Sequence, residues 1–489
     1  MKKLLFLAVV IFSIFIKSVE AQQLFAGSAA INITPKLPAA LQGQFRLRIG
    51  SEIESPLIAS AIAIESKNNG KAGDSVIFVS CDLTFITSDL SRSVRAAVAQ
   101  KIPGFNVSKI IVSATHTHTV PVYSKTESSY PIPDSVLTPR QYFDILTERI
   151  TTVIEEAWKK REPATVSWGL GHAVVANNRR AVYADGRSIM YGNTNEKIFR
   201  NIEGMEDHDV NALYFQNKKG KLVAVCVDVP CPSQEVEGHE AVNADYWHDV
   251  RVALKKRWGQ DLTVITWVGA SGDQSPHLLY RSAAENRMIK LAGRTRMEEI
   301  AYRVYNAVAE TYNLVKKEHH SEVTFMHRMD SITLPARMVT EKEYAEAKKM
   351  ADTIKVILTA NPELKPKRLS EMHWYENVVD RYNEQQGKPA PTIETEIHAI
   401  RIGDITIATN EFELFTDYGV RMQARSNALQ TFVVQCAVGY YIYLPTEIAV
   451  KGGGYSAIIQ SCVVGPDAGT ILTDRTIELI NGMFPQRIK

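Results

Sequence analysis

Two histidines stand one residue apart where an apolar segment ends. The stretch VSATHTHTVP, which begins in the apolar run KIIVSA, carries His116 and His118. Alternate side chains of an extended segment point to the same face, so the two imidazoles can converge on one ligand or one water. Imidazole is a common zinc ligand, but two ligands do not make a site, and such a pair is often only a solvated strand edge. The spacing suits a metal and requires further ligands from elsewhere.

Two more polar clusters follow apolar runs. The second cluster, CPSQ, contains Cys231, and the third, SGDQSPH, contains Asp273, Ser275 and His277. Functional loops of α/β sheets gather at the carboxyl ends of strands, so the three clusters are candidates for one site. Ser-Gly-Asp is also ordinary turn chemistry, and the third cluster alone is equally compatible with a plain turn.

The elements that must position these clusters alternate along the chain and predict an α/β fold, with mixed β-sheets flanked by helices. We predict strands at 75–81, 109–114, 164–175, 210–216, 221–230 and 262–269, and helices near 89–102, 139–161, 245–258 and 284–315. A charged helical insert at about 340–390, with breaks near Asn361 and Pro366, is expected to form a lid or flank. The stretch TEIHAIRIGDITIATN predicts a hairpin that turns at Gly403-Asp404. Since no repeat or linker is visible, residues 22–489 are predicted to form a single large catalytic domain.

The ordered motifs between Gly27 and Tyr455 resemble the neutral or alkaline ceramidases, which are zinc amidases with a catalytic α/β domain. The resemblance implies that the first histidine of THTH, His116, is a zinc ligand. It also implies an acidic ligand, Glu413 in FELFTDYG, and a tyrosine ligand, Tyr443 in YYIYLPT. The family's long forms carry a further β-sandwich domain, which this chain is expected to lack.

The same resemblance implies four residues around the scissile amide. These are His118, Arg179 of NNRRAVY, Ser275 of GDQSP and Tyr455 of KGGGYSA. We expect His118 to handle protons, and a tyrosine or Arg179 to stabilise the oxyanion. Without a Gly-x-Ser-x-Gly elbow, Ser275 is expected to orient the amide or the leaving group, with direct nucleophilic attack as the less favoured role.

One departure from the family pattern concerns the remaining zinc ligand. Where the family has a histidine in Ala-x-His-Pro, this chain has Cys231. The family also has an aspartate that opens a helix at a fixed distance after this motif, and Asp245 stands at that distance from Cys231. A thiolate binds zinc well, so Cys231 could complete the set of four protein ligands. Alternatively the site has lost zinc, or His239 or His248 has taken over; otherwise these two and His277 are expected to be structural or solvated.

The ends and the composition of the chain indicate an exported protein. Residues 1–21 combine a Lys pair, an apolar run and small residues before a cleavage site near Ala21, which is typical of a signal peptide. Removing them leaves equal numbers of acidic and basic residues, so nothing indicates nucleic-acid binding. Five cysteines are too few for a disulfide framework, and their number is odd. A single disulfide bond between Cys436 and Cys462 is a possibility that the sequence does not decide.

The sequence therefore predicts a secreted or periplasmic, zinc-dependent hydrolase of a linear N-acyl amide, with a ceramide-like lipid or another N-acyl amine as substrate. At most peripheral membrane contact is expected, and the oligomeric state is left open. Two alternatives on the same scaffold are a metal-free binding protein and a serine-type esterase that uses Ser275.

Overall fold

The computed structural model describes residues 22–125 and 130–485, so the predicted signal peptide at 1–21 lies outside the described residues. The strands are β1 Gln22–Asn32, β2 Ala39–Leu41, β3 Arg48–Gly50, β4 Ile58–Asn68, β5 Lys71–Cys81, β6 Ile110–Ala114, β7 Glu162–His172, β8 Asn177–Asn178, β9 Arg180–Tyr183, β10 Ser188–Met190, β11 Phe199–Ile202, β12 Asp209–Asn217, β13 Leu222–Val229, β14 Thr263–Val268, β15 Gln274–Ser275, β16 Glu322–Val323, β17 Phe325–Pro335, β18 Thr392–Ile402, β19 Ile405–Thr409, β20 Glu413–Leu414, β21 Gln430–Val434 and β22 Tyr443–Leu444. The α-helices are α1 Ser88–Lys101, α2 Pro139–Lys159, α3 Tyr246–Trp258, α4 Ser282–Leu291, α5 Arg296–Val315, α6 Glu341–Ala360, α7 Lys365–Gln385, α8 Thr416–Arg425, α9 Glu447–Gly452 and α10 Pro466–Asn481. Two short 3-10 helices are Val107–Lys109 and Pro362–Leu364.

Two mixed sheets form the centre of the fold. The larger runs in the order β14-β13-β12-β7-β1-β4-β5-β6, with β16 beside β1. Its β13–β14 and β5–β6 pairs are parallel, and its other pairs are antiparallel. The second sheet runs β17-β18-β19-β21, with only the last pair parallel. The predicted mixed α/β architecture is confirmed.

The sheets pack face to face because both carry apolar side chains on their inner faces. Ile62 and Phe78 of the large sheet share one buried cluster with Ile400 and Phe432 of the second sheet. On its other face the large sheet packs against α1 and α2 and, farther along, against α3 and α5. Helix α10 covers the second sheet through Ile480. The order of layers is helix, sheet, sheet, helix.

Most predicted elements are present, and one helix prediction is wrong. The predicted helix 284–315 is two helices, because Gly293 adopts φ 65° and Thr295 begins α5 with a capping box to Glu298. The hairpin predicted at Gly403-Asp404 joins β18 and β19. The charged segment forms the helical hairpin α6–α7, interrupted at Asn361.

All five cysteines are buried free thiols, so the Cys436–Cys462 bridge is not formed. None of the helices in the described ranges has the length and apolar character needed to cross a membrane.

The large sheet is curved, so that its edge strand β14 packs against β5. The rings of Phe78 and Trp267 are 5.0 Å apart, and Arg251 of α3 binds both carboxylate oxygens of Asp82 at 2.7 Å. Asp82 is fully buried and also accepts a hydrogen bond from the backbone N–H of Ile58. This ion pair joins the segment after β5, which leads to the predicted site, to the helix after β13.

We predict that Asp82→Asn lowers the free energy of unfolding by about 3 kcal/mol, because it leaves the Arg251 charge buried without a counter-ion. Urea denaturation of the variant and the parent chain measures the difference. Asp261→Asn is the matched control: its partner Lys221 and Asp261 itself are 53% and 85% exposed, and we expect a loss below about 1 kcal/mol. Equal losses in the two variants would contradict the structural role of the Asp82–Arg251 pair.

Candidate active site

His116 lies just after β6 with its ring fixed from one side. Its Nδ1 is 2.6 Å from the carbonyl oxygen of Thr84, so Nδ1 carries the proton and Nε2 is directed inward. The residue is 2% exposed, and its backbone has φ 60°, which a non-glycine residue adopts only when its surroundings enforce it. The orientation of this imidazole is therefore accompanied by a strained backbone at His116.

Glu413 faces His116 across the site. Its Oε2 is 3.4 Å from His116 Nε2, and its Oε1 accepts a hydrogen bond from the Tyr440 hydroxyl. Burial raises the pKa of Glu413, but the neighbouring His116 imidazole, the hydrogen bond from Tyr440 and the charge of Arg179 outweigh burial and bring the pKa to about 2. Strand β20 pairs Glu413 directly with Tyr443 of β22, which explains why residues thirty apart in the chain share one site.

Arg179 connects Tyr443 with the loop after β14. Its Nη2 donates to the hydroxyl of Tyr443 at 3.1 Å and to the carbonyl of Gly272 at 2.9 Å. Its Nη1 lies 3.3 Å from Gln234 Oε1. Arg179 is 2% exposed, so a buried cation stands beside a buried phenol and can stabilise developing negative charge there.

His118 is neutral in this setting and its orientation is defined. Gln234 keeps its amide oxygen toward Arg179, so its Nε2 donates to His118 Nε2 at 2.9 Å. The ring proton is then on Nδ1, 3.4 Å from Glu237 Oε2. Burial, and next the charge of His116, lower the pKa of His118 to about 3. The imidazole presents an acceptor nitrogen to the site.

Ser275 is fully buried beside these groups, but it has no base. Its Oγ receives hydrogen bonds from the Tyr191 hydroxyl at 3.0 Å and from the backbone N–H of His277 at 3.1 Å. His277 itself contacts Glu237 through its ring at 3.1 Å. The hydroxyl is positioned without being activated, in agreement with the orienting role expected from the sequence.

Cys231 is not part of this group. Its Sγ is near the carbonyl oxygens of Val175 and Pro232, at 3.8 and 3.7 Å, within the apolar cluster under α3 and α5. Burial raises its pKa far above the usual value, so the thiol is neutral. The placement gives the predicted ligand role no support, because it is Gln234 of the same loop that reaches His118.

The other histidines considered as replacements also lie apart. His239 is bound to Glu54 at 3.0 Å and its side chain is about half exposed, and His248 lies in the first turn of α3. Asp245 caps α3 through the backbone N–H of Tyr246.

The donors around His116 fit zinc in kind, and the His116–Glu413 pair also has the spacing of two zinc ligands. Two ligands bound at about 2.1 Å with tetrahedral angles are about 3.4 Å apart. His116 Nε2 is 3.4 Å from both Glu413 Oε2 and His118 Nε2. Still, no three or more His, Cys, Asp and Glu side chains in residues 22–125 and 130–485 are grouped so that they could hold a metal ion. The protein offers nitrogen, carboxylate and phenol donors without a complete ligand set.

The site opens into a cavity of about 440 Å³. His116, His118, Glu413 and Tyr443 form its floor, and Tyr455 stands in its wall with its ring 5.8 Å from that of Tyr443. The structure thus brings together seven of the eight residues that the sequence predicts for the site. Five of them line this cavity, Arg179 and Ser275 lie behind it, and Cys231 is outside the group.

A buried arginine that the sequence reasoning missed connects the loops of the site. Arg48 donates to the carbonyls of Gln42 at 2.6 Å, His118 at 2.5 Å, Glu237 at 2.7 Å and His239 at 2.7 Å. It is 1% exposed, and burial lowers its pKa to about 10, so it stays charged at neutral pH. Gln234, Glu237 and Tyr440 were also missed; the polar loop after Cys231 and the tyrosine run GYYIY were the available signals.

We predict that Arg48→Met lowers the free energy of unfolding by about 3 kcal/mol or more, because four backbone carbonyls lose the buried donor that they share. Arg46→Met is the control, since Arg46 makes only an exposed ion pair with Glu240 and should change stability by less than about 1 kcal/mol. Chemical denaturation measures both values. A loss for Arg48→Met no larger than that for the control would show that the loops hold together without it.

Comparison with known proteins shows a family resemblance in part of the sequence and a similar fold over most of the chain. Residues 48–226 match the family model for neutral/alkaline non-lysosomal ceramidase, N-terminal. The neutral ceramidase from Pseudomonas aeruginosa has a TM-score of 0.69 at 17% identity, over 95% of this chain and 76% of that chain. A ceramidase complexed with C2 has a TM-score of 0.66 at 16% identity, over 94% and 75%. No curated protein matches the chain. The predicted resemblance to this family and the predicted fold are confirmed.

Proposed function

We propose, from the ceramidase-family match of residues 48–226, that the chain is a zinc-dependent hydrolase of linear N-acyl amides. The observation that carries the proposal is the convergence of His116, Glu413 and Tyr443 on the floor of one cavity, with Arg179 behind them. A ceramide-like lipid or another N-acyl amine is the substrate class, since the solved relatives are ceramidases.

We assign each residue of the site a separate role in amide hydrolysis. His116, Glu413 and Tyr443 would hold zinc, which supplies Lewis-acid polarisation when bound. Arg179, behind Tyr443, and the hydroxyl of Tyr455 in the cavity wall would stabilise the negative charge that develops on the carbonyl oxygen. His118 would carry protons between the attacking water and the leaving amine, and for this its Nε2 has to exchange the hydrogen bond from Gln234 for one from the water. Ser275 orients the amide.

We also propose that the protein acts outside the cytoplasm, in the periplasm or beyond. The support is the signal-peptide pattern of residues 1–21. Zymography or immunodetection of the full-length chain in culture fractions tests this. Retention of unprocessed chain in the cytoplasm would contradict it.

We expect residues 22–489, purified and dialysed, to contain about one zinc per chain by elemental mass spectrometry, and to lose hydrolysis of an N-acyl amide when a chelator removes it. His116→Ala and Glu413→Ala should lose the metal, while His239→Ala keeps it because His239 contacts Glu54 instead. A folded, active protein without metal would refute zinc dependence. Hydrolysis that resists chelators and stops with Ser275→Ala would establish the esterase alternative, and a folded protein that binds an amide without cleaving it would establish the binding-protein alternative.

We predict that Cys231→Ala retains zinc and at least about half of the hydrolytic rate, because its thiol is directed to the Val175 and Pro232 carbonyls. Metal content and kcat/KM are measured beside those of His116→Ala. Loss of zinc from a Cys231→Ala protein that keeps its circular dichroism spectrum would restore the cysteine as a ligand.

A further inference from the structure

Helix α7 presents an unusual stripe to the cavity. Ser370, His373, Trp374 and Asn377 all line it, and their spacing of three, four and seven residues places them on one face of the helix. The other side of α7 is apolar and packs through Met372 and Val378 into buried clusters. The helix thus buries its apolar side in the protein and turns a polar and aromatic side toward the site.

This wall is fixed in place. Arg381 of α7 donates to the carbonyls of Ile459 at 2.8 Å and Arg337 at 3.0 Å. At the start of the helix, the carbonyl of Pro366 accepts the backbone N–H of Leu47 at 2.7 Å. The cavity-facing side chains are therefore parts of a preformed surface.

Aromatic rings connect this wall to the reacting centre. Trp374 is 5.2 Å from Phe45 and 5.8 Å from Tyr455, and Tyr455 is 5.8 Å from Tyr443. Amide side chains at Gln42, Gln44 and Gln460 stand around the rings. Glu413 is at the floor, and the described residues that line the cavity include no Lys, Arg or Asp.

The lining also includes the apolar side chains of Phe85, Ile442 and Val463, but the α7 face of the cavity is poorly suited to an alkyl chain. Covering histidine, asparagine and glutamine side chains with hydrocarbon removes their water without replacing its hydrogen bonds, which is unfavourable. An uncharged ring with an apolar C–H face and hydroxyl edges fits both components, because the face covers the aromatic rings and the hydroxyls pair with the amides.

We propose that the group bound against α7 is a sugar, and that the substrate is an N-acylated amino sugar. The inference rests on the proposed amide hydrolysis. Water adds its hydroxyl to the acyl carbon, the C–N bond breaks, and the nitrogen takes up the proton, which releases a carboxylic acid and the free amino sugar. Trp374 and Asn377 determine the specificity of this reaction.

The test compares three amides that share a hexanoyl group and differ in the amine: glucosamine, sphinganine in detergent micelles, and hexylamine. We expect kcat/KM for the glucosamine amide to exceed that for the hexylamide at least tenfold. Asn377→Ala and Trp374→Leu should lower kcat/KM for the sugar amide about five- to tenfold and lower kcat/KM for the hexylamide by a clearly smaller factor. Asn383→Ala, at an exposed position of the same helix, is the matched control and should not change either value.

Binding of N-acetylglucosamine, followed by saturation-transfer NMR, separates the two proposals. Faster hydrolysis of the sphinganine amide or the hexylamide than of the sugar amide would overturn the sugar assignment and leave the amidase standing. Sugar binding that depends on Asn377 and Trp374, in a protein that cleaves no amide, would support the sugar assignment and refute the amidase. A protein that neither hydrolyses the sugar amide nor binds the sugar would overturn the inference. Asn377→Ala changes an exposed side chain, so the test survives if Trp374→Leu fails to fold.

Discussion

The arrangement of the site depends on one buried cation that takes no part in the chemistry. The guanidinium of Arg48 holds carbonyls from three separate stretches of chain, and these stretches carry His118, Glu237 and the cavity residue Gln42. Carbonyl oxygens replace a counter-ion here, so the charge is neutralised by dipoles that are themselves fixed in the backbone. A carboxylate partner would have satisfied the charge without connecting the loops. The choice of partner makes Arg48 a structural link between loops.

The protonation states in the site follow from which ionisable groups are neighbours. Glu413 is ionised by its contacts with His116 and Tyr440, and Arg179 balances it from the opposite side through Tyr443. His118 lies between these groups, and burial beside another imidazole keeps it neutral. Thus one buried carboxylate, one buried guanidinium and one uncharged base occupy a small volume. Proton transfer to His118 would place a second cation in this volume, and the ionised Glu237 and Glu413 are the groups near enough to stabilise it.

The sequence was sufficient for the layers and for much of the site, and its failures have physical causes. Apolar runs located β5, β6, β7, β12, β13 and β14, but β1, β4, β17 and β21 were not predicted. Helical periodicity located α1, α2 and α3, but Gly293 divided a helix that periodicity alone could not divide. His116 and His118 were visible as a local pattern, whereas Glu413 and Tyr443 meet through a two-residue strand pair that only tertiary structure creates. Cys231 matched the family position, yet its thiol turned to the apolar side. The contacts of Arg48 and Gln234 join distant parts of the chain and produce no pattern in the sequence from which they could be predicted.

The segment that supplies Tyr440 has a backbone that its own residues resist. Cys436, Val438 and Ile442 have φ of 51°, 63° and 59°, in a region where branched side chains are crowded. Each such residue costs on the order of 1–3 kcal/mol, which the packing around the segment must offset. Glycines there would relax the chain and also release the tyrosine from its aim at Glu413. In this segment a gain in stability and the orientation of the Tyr440 hydroxyl toward Glu413 are therefore opposed.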